Sequence, residues 1–486
     1  MSISMSEQTI TVQKLKEECG VFGLINGPDG GREPAFDTYN ALFALQHRGQ
    51  DSCGIAVSQN GRLQVHKAAG LVPEVFSLAE LENFRGADAA IGHVRHATTA
   101  ATVNPANIQP LVVHHASGSM AMCYNGTLAN SQALRMETEH RGGIFQGTND
   151  AEVIAYLIVR EHLRTHTLAD AVLNAMDYMI GAYSIVLLEK GKLIAARDPN
   201  GFRPLCIGKL GDAVIFASES CAIEALGGTF LRDVEPGEVV VAKDGVISSH
   251  RCRVKAARRA LCLFELIYFA RQDSIIDGVA VGAVREMAGR MLAQQNTVEG
   301  DLVIGVPDSG IAAAMGFARE SGIPYGIGLM KNRYIARTFI QTQRWEQEKS
   351  LHIKLNAVSA TVKGKRVILV DDSIIRGKTC ARIVRLLRDA GAKEVHVRIS
   401  SPPFRYQCHF GTVTPASADM AANGRTAEEV CELIGADSLQ YLSLGTLKQL
   451  ARGEGRGFCD ACFTGDYVLP VREDPNPQLS IFPTIY

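Results

Sequence analysis

The sequence predicts two domains, a sheet-rich α+β domain followed by an α/β domain built on a parallel sheet, and three observations carry that reading. From 21 to about 247, short β-branched runs (VFGLIN, GIAVSQ, YSIVLLE, VIFASE, GEVVVA) alternate with turn residues, interrupted by helical stretches near 37–45 and 150–164. Beyond a basic, weakly patterned segment at 251–261 the rhythm changes: LVIGV precedes helical IAAAMGFARESG, then come PYGIGLM, RVILV, helical CARIVRLLRDAG and EVHVRISS. Strands alternating with helices of that length call for a parallel sheet covered on both faces. Finally, 486 residues suffice for two to four domains of about 100–200 residues each. The boundary is placed near 250, giving domains at 19–250 and 251–465 between loop-like ends at 1–18 and 466–486.

Composition narrows the class. Hydrophobic residues make up 46% and charged residues 21%, as in ordinary globular proteins, and no repeat or low-complexity tract appears. Fifty Lys and Arg against 51 Asp and Glu leave a formal charge of -1, so the broad positive field of a nucleic-acid binder is missing. Neither a signal peptide nor a run of about 20 apolar residues is present, which argues against a membrane partner and for the cytoplasm. Twelve cysteines in so long a chain without an export signal read as thiols, a few of them available for catalysis or metal.

Taken in chain order, the first motif is EECGVFG, with Cys19 just before a strand. Alone, such a cysteine is usually a small buried hydrophobe. Here LQHRGQDSCGI (45–55), GHVRHAT (92–98), YNGTL (124–128) and TNDAE (148–152) follow it. This ordered set, over about 230 residues, resembles the class II glutamine amidotransferase domain. The resemblance implies an N-terminal-nucleophile hydrolase fold, with sheets sandwiched between helices. A thiolate is a strong nucleophile at neutral pH, and an N-terminal cysteine carries its own base in an α-amine of pKa about 7.7–8.0. Internal Cys19 has no such amine, so the resemblance implies that residues 1–18 are a propeptide cleaved between Glu18 and Cys19. It further implies that Arg95 pairs with the glutamine α-carboxylate, that Asp150 holds the α-ammonium, and that Thr98 adds a polar contact. Asn125 (side chain) and Gly126 (backbone N–H) would form the oxyanion hole. His96 stands where relatives commonly have Tyr, and Tyr124 where they commonly have His.

The second motif is RVILVDDSIIRGKTCARIVRLLRDAG at 366–391. An apolar strand ends in Asp371 and Asp372, a short loop follows, and an amphipathic helix begins whose free N–H groups and positive dipole end suit an anion. Vicinal carboxylates there suit a sugar diol and Mg²⁺. The string resembles the phosphoribosyl-diphosphate loop of type I phosphoribosyltransferases, which implies binding by Asp371, Asp372, Ser373, Arg376, Gly377, Lys378 and Thr379. Lys378 replaces a usual Thr. In GVPDSGIAAA, Ser309 matches a Mg²⁺ ligand alongside Asp371 and Asp372. KNRYIARTFIQ, with Lys331, Arg333 and Arg337, resembles the mobile loop that closes over the diphosphate and excludes water. Val413, in GTVTP, replaces a frequent Asp and has no reading.

The third constellation is Cys262, Cys408, Cys459 and Cys462, the last two in FCDACFTG. A single C-x-x-C is compatible with zinc, redox chemistry or neither. With their neighbours, these positions resemble the iron–sulfur, propeptide-bearing subgroup of the glutamine phosphoribosylpyrophosphate amidotransferases, implying a [4Fe–4S] cluster; four cysteines also suit zinc. Cysteines 53, 123, 206, 221, 252, 380 and 431 read as structural.

The combined resemblance runs from 19 to 465 and implies conversion of glutamine, phosphoribosyl diphosphate and water to 5-phosphoribosylamine, glutamate and diphosphate, the first committed step of purine synthesis. It also implies Mg²⁺, inhibition by purine nucleotides and a homo-oligomer, a tetramer. Another glutaminase-linked synthase would share the Cys19 domain but lack VDDSIIRGKT. A non-catalytic phosphoribosyl-diphosphate sensor would have no use for Cys19, Arg95, Asn125 and Asp150 in order.

Overall fold

The computed structural model describes residues 19–96, 104–256, 258–295, 297–332, 355–451 and 457–470. Among these, Cys19–Ile25 is a central strand of a seven-stranded antiparallel sheet, between Ala89–Arg95 and Ala213–Ala217. Gly118–Leu128 and Gly181–Glu189 are neighbours in a second, six-stranded sheet. The two sheets are stacked. Val21, Ile91, Cys123, Val186 and Phe216 fill one apolar layer between them. Because successive side chains on a strand alternate faces, Phe22 and Leu24 point the other way and pack under the helix Pro34–Ala44. On the far face of the second sheet, Tyr183 and Ile185 pack under the helices Asp150–His162 and Leu168–Met176. The result is a four-layer sandwich, helices outside and sheets inside.

The second domain has a four-stranded parallel sheet in the order Leu302–Gly305, Arg366–Asp371, Glu394–Ile399, Ser438–Tyr441. Val281–Gln295 and Ile311–Ser321 pack on one face, against Val303, Ile368 and Val370. The other face carries Lys378–Asp389 and Ala427–Ile434, packed against Val367, Leu369 and Val397. PYGIGLM departs from the strand its apolar content suggests: only Tyr325 bridges to Val303, and Leu329–Lys331 pairs antiparallel with Leu355–Ala357 outside the main sheet. Five described helices in the first domain go beyond the two stretches legible in the sequence, three of them only four to six residues long. Ser131–His140 is so polar that it buries only Leu134, and Leu168–Met176 is announced mainly by its cap, Thr167, whose hydroxyl accepts from the Asp170 N–H at 3.1 Å. No helix among the described residues is long and apolar enough to cross a membrane. No disulfide joins any of the twelve cysteines.

Candidate active site

Cys19 is the first residue of its strand rather than the residue before it, and lies directly opposite Arg95. A Cβ placed on Gly23 would lie 2.8 Å from Val186 of the second sheet. By the two-residue period, Cys19 therefore opens into the space between the sheets. Asn125 shares the face of Cys123, which lies in the same intersheet layer, so the second sheet aims Asn125 at that space. Its side chain is fully buried, and neither amide atom has a hydrogen-bond partner among the described residues. A buried orphan of this kind normally costs about 1–3 kcal/mol, and a site that receives charge is where such a cost is tolerated. Gly126 follows with φ +146°, where a Cβ would come within 2.0 Å of the Ala182 carbonyl, so only glycine holds the backbone N–H in this attitude.

Two side chains missing from the sequence reading fix this element. The Tyr124 N–H donates to Gln109 Oε1 at 2.7 Å, and the Tyr124 carbonyl accepts from His93 Nε2 at 3.0 Å. Because a carbonyl only accepts, His93 carries its proton on Nε2. Burial pulls its pKa down to about 3, so the ring stays neutral. Asp150 sits at the start of its helix, taking hydrogen bonds from the Leu128 N–H at 2.8 Å, the Ser131 hydroxyl and the Tyr124 hydroxyl. Burial raises its pKa against these hydrogen bonds, so the carboxylate gains from a cationic partner. Both departures touch this site: Tyr124 bonds Asp150, and buried His96 pairs with Asp51. Arg95 donates to the Asn107 carbonyl. Thr98 lies outside the described residues.

In the second domain, Asp371 and Asp372 are buried at the carboxyl end of their strand, where open parallel sheets place ligands. Asp372 accepts from the hydroxyls of Ser309 and Ser373. Ser309 gets there because a Cβ on Gly310 would be 2.5 Å from the Val370 carbonyl; glycine lets that turn lie on the strand end. Lys331 reaches the same turn, its Nζ 2.7 Å from Asp308 Oδ2. Gly377, at φ +75°, caps Lys378–Asp389 without a side-chain bond, leaving the first-turn N–H groups to an anion. Arg376 and Thr379 flank that helix start partly buried and Lys378 is exposed, so the extra charge is on the rim. Arg333 and Arg337 lie outside the described residues. Val413 is partly buried between two hydrogen-bonding threonines, and nothing in the structure explains its identity.

Cys262, Cys408, Cys459 and Cys462 line one apolar cavity with Phe264, Phe404, Phe410 and Tyr467. A short parallel pairing of Leu261–Cys262 with Phe458–Cys459 sets two of them side by side. Tyr467, in the segment read as a loose tail, closes one wall, its hydroxyl donating to the Gln407 carbonyl at 2.6 Å. Burial pushes the Cys262 thiol up to about 12 and those of Cys459 and Cys462 well above their ordinary value. Thiolates here therefore need a strongly cationic centre, which fits a metal group. Among the described residues, no three His, Cys, Asp or Glu side chains are gathered to hold a single metal ion.

Residues 93–225 match the glutamine amidotransferase domain and 278–400 the phosphoribosyl transferase domain. The amidophosphoribosyltransferase of Bacillus subtilis (strain 168) is 45% identical over 95% of this chain and 96% of its own length. That of Archaeoglobus fulgidus is 45% identical over 93% and 98%. The chain belongs to the amidophosphoribosyltransferase family. A solved glutamine phosphoribosylpyrophosphate amidotransferase from B. subtilis, complexed with ADP and GMP, superposes with a TM-score of 0.87 at 44% identity, covering 94% of this chain and 98% of that one. Membership makes this a glycosyltransferase-type enzyme of purine biosynthesis, with an N-terminal-nucleophile-type domain ahead of a phosphoribosyltransferase domain.

Proposed function

We propose that the chain converts glutamine, phosphoribosyl diphosphate and water to 5-phosphoribosylamine, glutamate and diphosphate, with the residues above in the following roles. The observation that carries the reading is Cys19 opposite Arg95, with the orphaned amide of Asn125 aimed into the same intersheet space, in one chain with the strand-end pair Asp371 and Asp372. Arg95 takes the glutamine α-carboxylate and Asp150 its α-ammonium. The Cys19 sulfur attacks the carboxamide carbon while Asn125 Nδ2 and the Gly126 N–H stabilise the oxyanion, worth about 3–4 kcal/mol per donor. Ammonia leaves, and water hydrolyses the thioester to glutamate. The base is the Cys19 α-amine, exposed by removal of residues 1–18.

At the second site, Asp371 and Asp372 hold the ribose diol, the N-terminus of Lys378–Asp389 takes the 5-phosphate, and Lys331 with Arg333 and Arg337 face the leaving diphosphate. Mg²⁺ bound at Ser309, Asp371 and Asp372 would neutralise diphosphate charge. It commonly takes only one or two carboxylates plus substrate phosphates, which is compatible with there being no ready three-ligand group among the described residues. The four cysteines hold a [4Fe–4S] cluster that supplies cross-linking rather than electron transfer. The four cysteines lining one apolar cavity supply the thiolate set that such a cluster takes. The enzyme acts in the cytoplasm as a homotetramer inhibited by purine nucleotides.

The test is product formation from glutamine and, separately, from ammonia, on anaerobically purified protein with mass and iron determined. The reading expects an N-terminus at Cys19, four irons and four sulfides per chain, and both activities. An active enzyme retaining residues 1–18 would remove the propeptide; stoichiometric zinc without sulfide would remove the cluster.

A further inference from the structure

Arg48, Glu219, Glu265 and Arg203 form a buried ionic network between the domains, each no more than 3% exposed. Arg48 Nε donates to the Cys19 carbonyl at 3.0 Å, while its other nitrogens reach Glu219 at 2.6 Å and Glu265 at 2.7 and 3.0 Å. Glu265 also accepts from Arg203 at 3.1 Å. Arg203 continues to the Phe410 carbonyl at 3.2 Å, and the Phe410 N–H donates to Cys408 Sγ at 3.4 Å. A path of hydrogen bonds, linked through the Phe410 backbone, thus runs from the backbone of one cysteine to the sulfur of another, crossing from the first domain into the second, back to Arg203 and into the second again.

Four buried charges are a poor choice for stability alone, since apolar residues of the same volume often hold a fold as well or better. Their geometry specifies position instead: Arg48 grips the Glu265 carboxylate with two nitrogens, Arg203 adds a third bond to it, and the Arg48 Nε fixes the carbonyl of the residue that must attack. We propose that Arg48, Glu265 and Arg203 are positioning residues that set the attack geometry of Cys19 from the wall of the four-cysteine cavity. Damage to that wall then slows the glutaminase half before the protein unfolds. The proposal rests on Cys19 being the nucleophile.

The experiment is a double-mutant cycle on the full-length, processed enzyme, using Arg48→Lys and Arg203→Lys, which keep the charge and lose the forks. The first readout is the rate at which a glutamine-like diazoketone alkylates Cys19, followed by mass; the second is KM against kcat for glutamine. Each single variant is expected to slow alkylation about 10-fold with KM for glutamine within about 2-fold, and the double variant to be no slower than the worse single. Ammonia-dependent synthesis serves as the fold control. Should Arg203→Lys not fold, Thr412→Val trims the same end of the path, where Arg203 Nη2 reaches Thr412 Oγ1 at 3.5 Å. Additive losses, or wild-type alkylation when only the Arg203 end is altered, overturn the proposal. Alkylation at a cysteine other than Cys19 overturns the nucleophile assignment instead, so the two failures are distinguishable.

Discussion

The two candidate sites are built on opposite principles. The glutamine site lies between two antiparallel sheets, and its members are fixed by register: Cys19 pairs with Arg95, Asn125 with Ser184, Gly126 with Tyr183. A one-residue slip would turn every side chain to the other face, so the site is as rigid as the sheets. The phosphoribosyl site lies beyond the end of a parallel sheet, where a turn, a loop and a helix N-terminus meet. Its carboxylate floor, Asp371 and Asp372, is buried, while Lys331 and Lys378 are exposed. In the proposed roles, the first arrangement would preorganise an oxyanion site before substrate arrives, and the second would leave the cationic side to be completed around a highly charged ligand.

If that contrast holds, removing the nucleophile separates the two halves completely. Cys19→Ala should lower glutamine-dependent synthesis about 10⁴-fold or more while leaving ammonia-dependent synthesis within about 2-fold, measured as product formed from each nitrogen source. Loss of both in a folded variant would mean that the sites are not separable. Next in size, Asp371→Asn or Asp372→Asn should cost about 10²–10³-fold with either nitrogen source, because the sugar and Mg²⁺ lose a charged partner. Unchanged phosphoribosyl-diphosphate affinity in both variants would overturn the loop assignment.

Gly126→Ala sharpens the claim of rigidity. The new methyl has the Ala182 carbonyl at 2.0 Å and a backbone at φ +146°, so the strand must shift and the oxyanion donor with it. A loss of about 10²-fold in glutamine-dependent kcat is expected, with ammonia-dependent synthesis retained. Equal losses in both would show that the strand carries the fold as well as the site. The last effect, read as stability rather than activity, concerns His93, whose folded pKa of about 3 lies below its ordinary 6.5. Between those values the unfolded chain binds a proton that the folded chain refuses, so stability falls as pH drops from about 6.5 towards 3, by up to about 1.4 kcal/mol per pH unit. Above 6.5 this contribution is constant. His93→Gln, which can still donate to the Tyr124 carbonyl, should flatten that part of the denaturation midpoint against pH; an unchanged slope would assign the acid sensitivity elsewhere.

The same contrast separates what could be read from the chain. Contiguous strings such as RVILVDDSIIRGKT announce a strand, a loop and a helix start because all three are local, and the structure puts them where the string does. The register of Cys19 against Arg95, 76 positions apart, follows from no local rule. His93 lies inside GHVRHAT and Gln109 outside every motif, and neither carried a signal that it holds the Tyr124 backbone. Arg48 and Glu265 were visible as letters in LQHRGQDSCGI and CLFELIYFARQDS, yet nothing in either string says that they meet.

By itself, then, the sequence determined the fold class of each domain, through hydrophobic period and turn residues, and named the candidate residues of both sites, through motif order. Only the tertiary structure decided that four cysteines spread over 201 positions line one cavity, that the Asn125 amide is buried without a partner among the described residues, and that a chain of buried charges joins the Cys19 backbone to that cavity wall. The reason is physical: local propensity acts over a few residues, whereas burial, register and the pairing of buried charges are settled by which distant segments exclude water together.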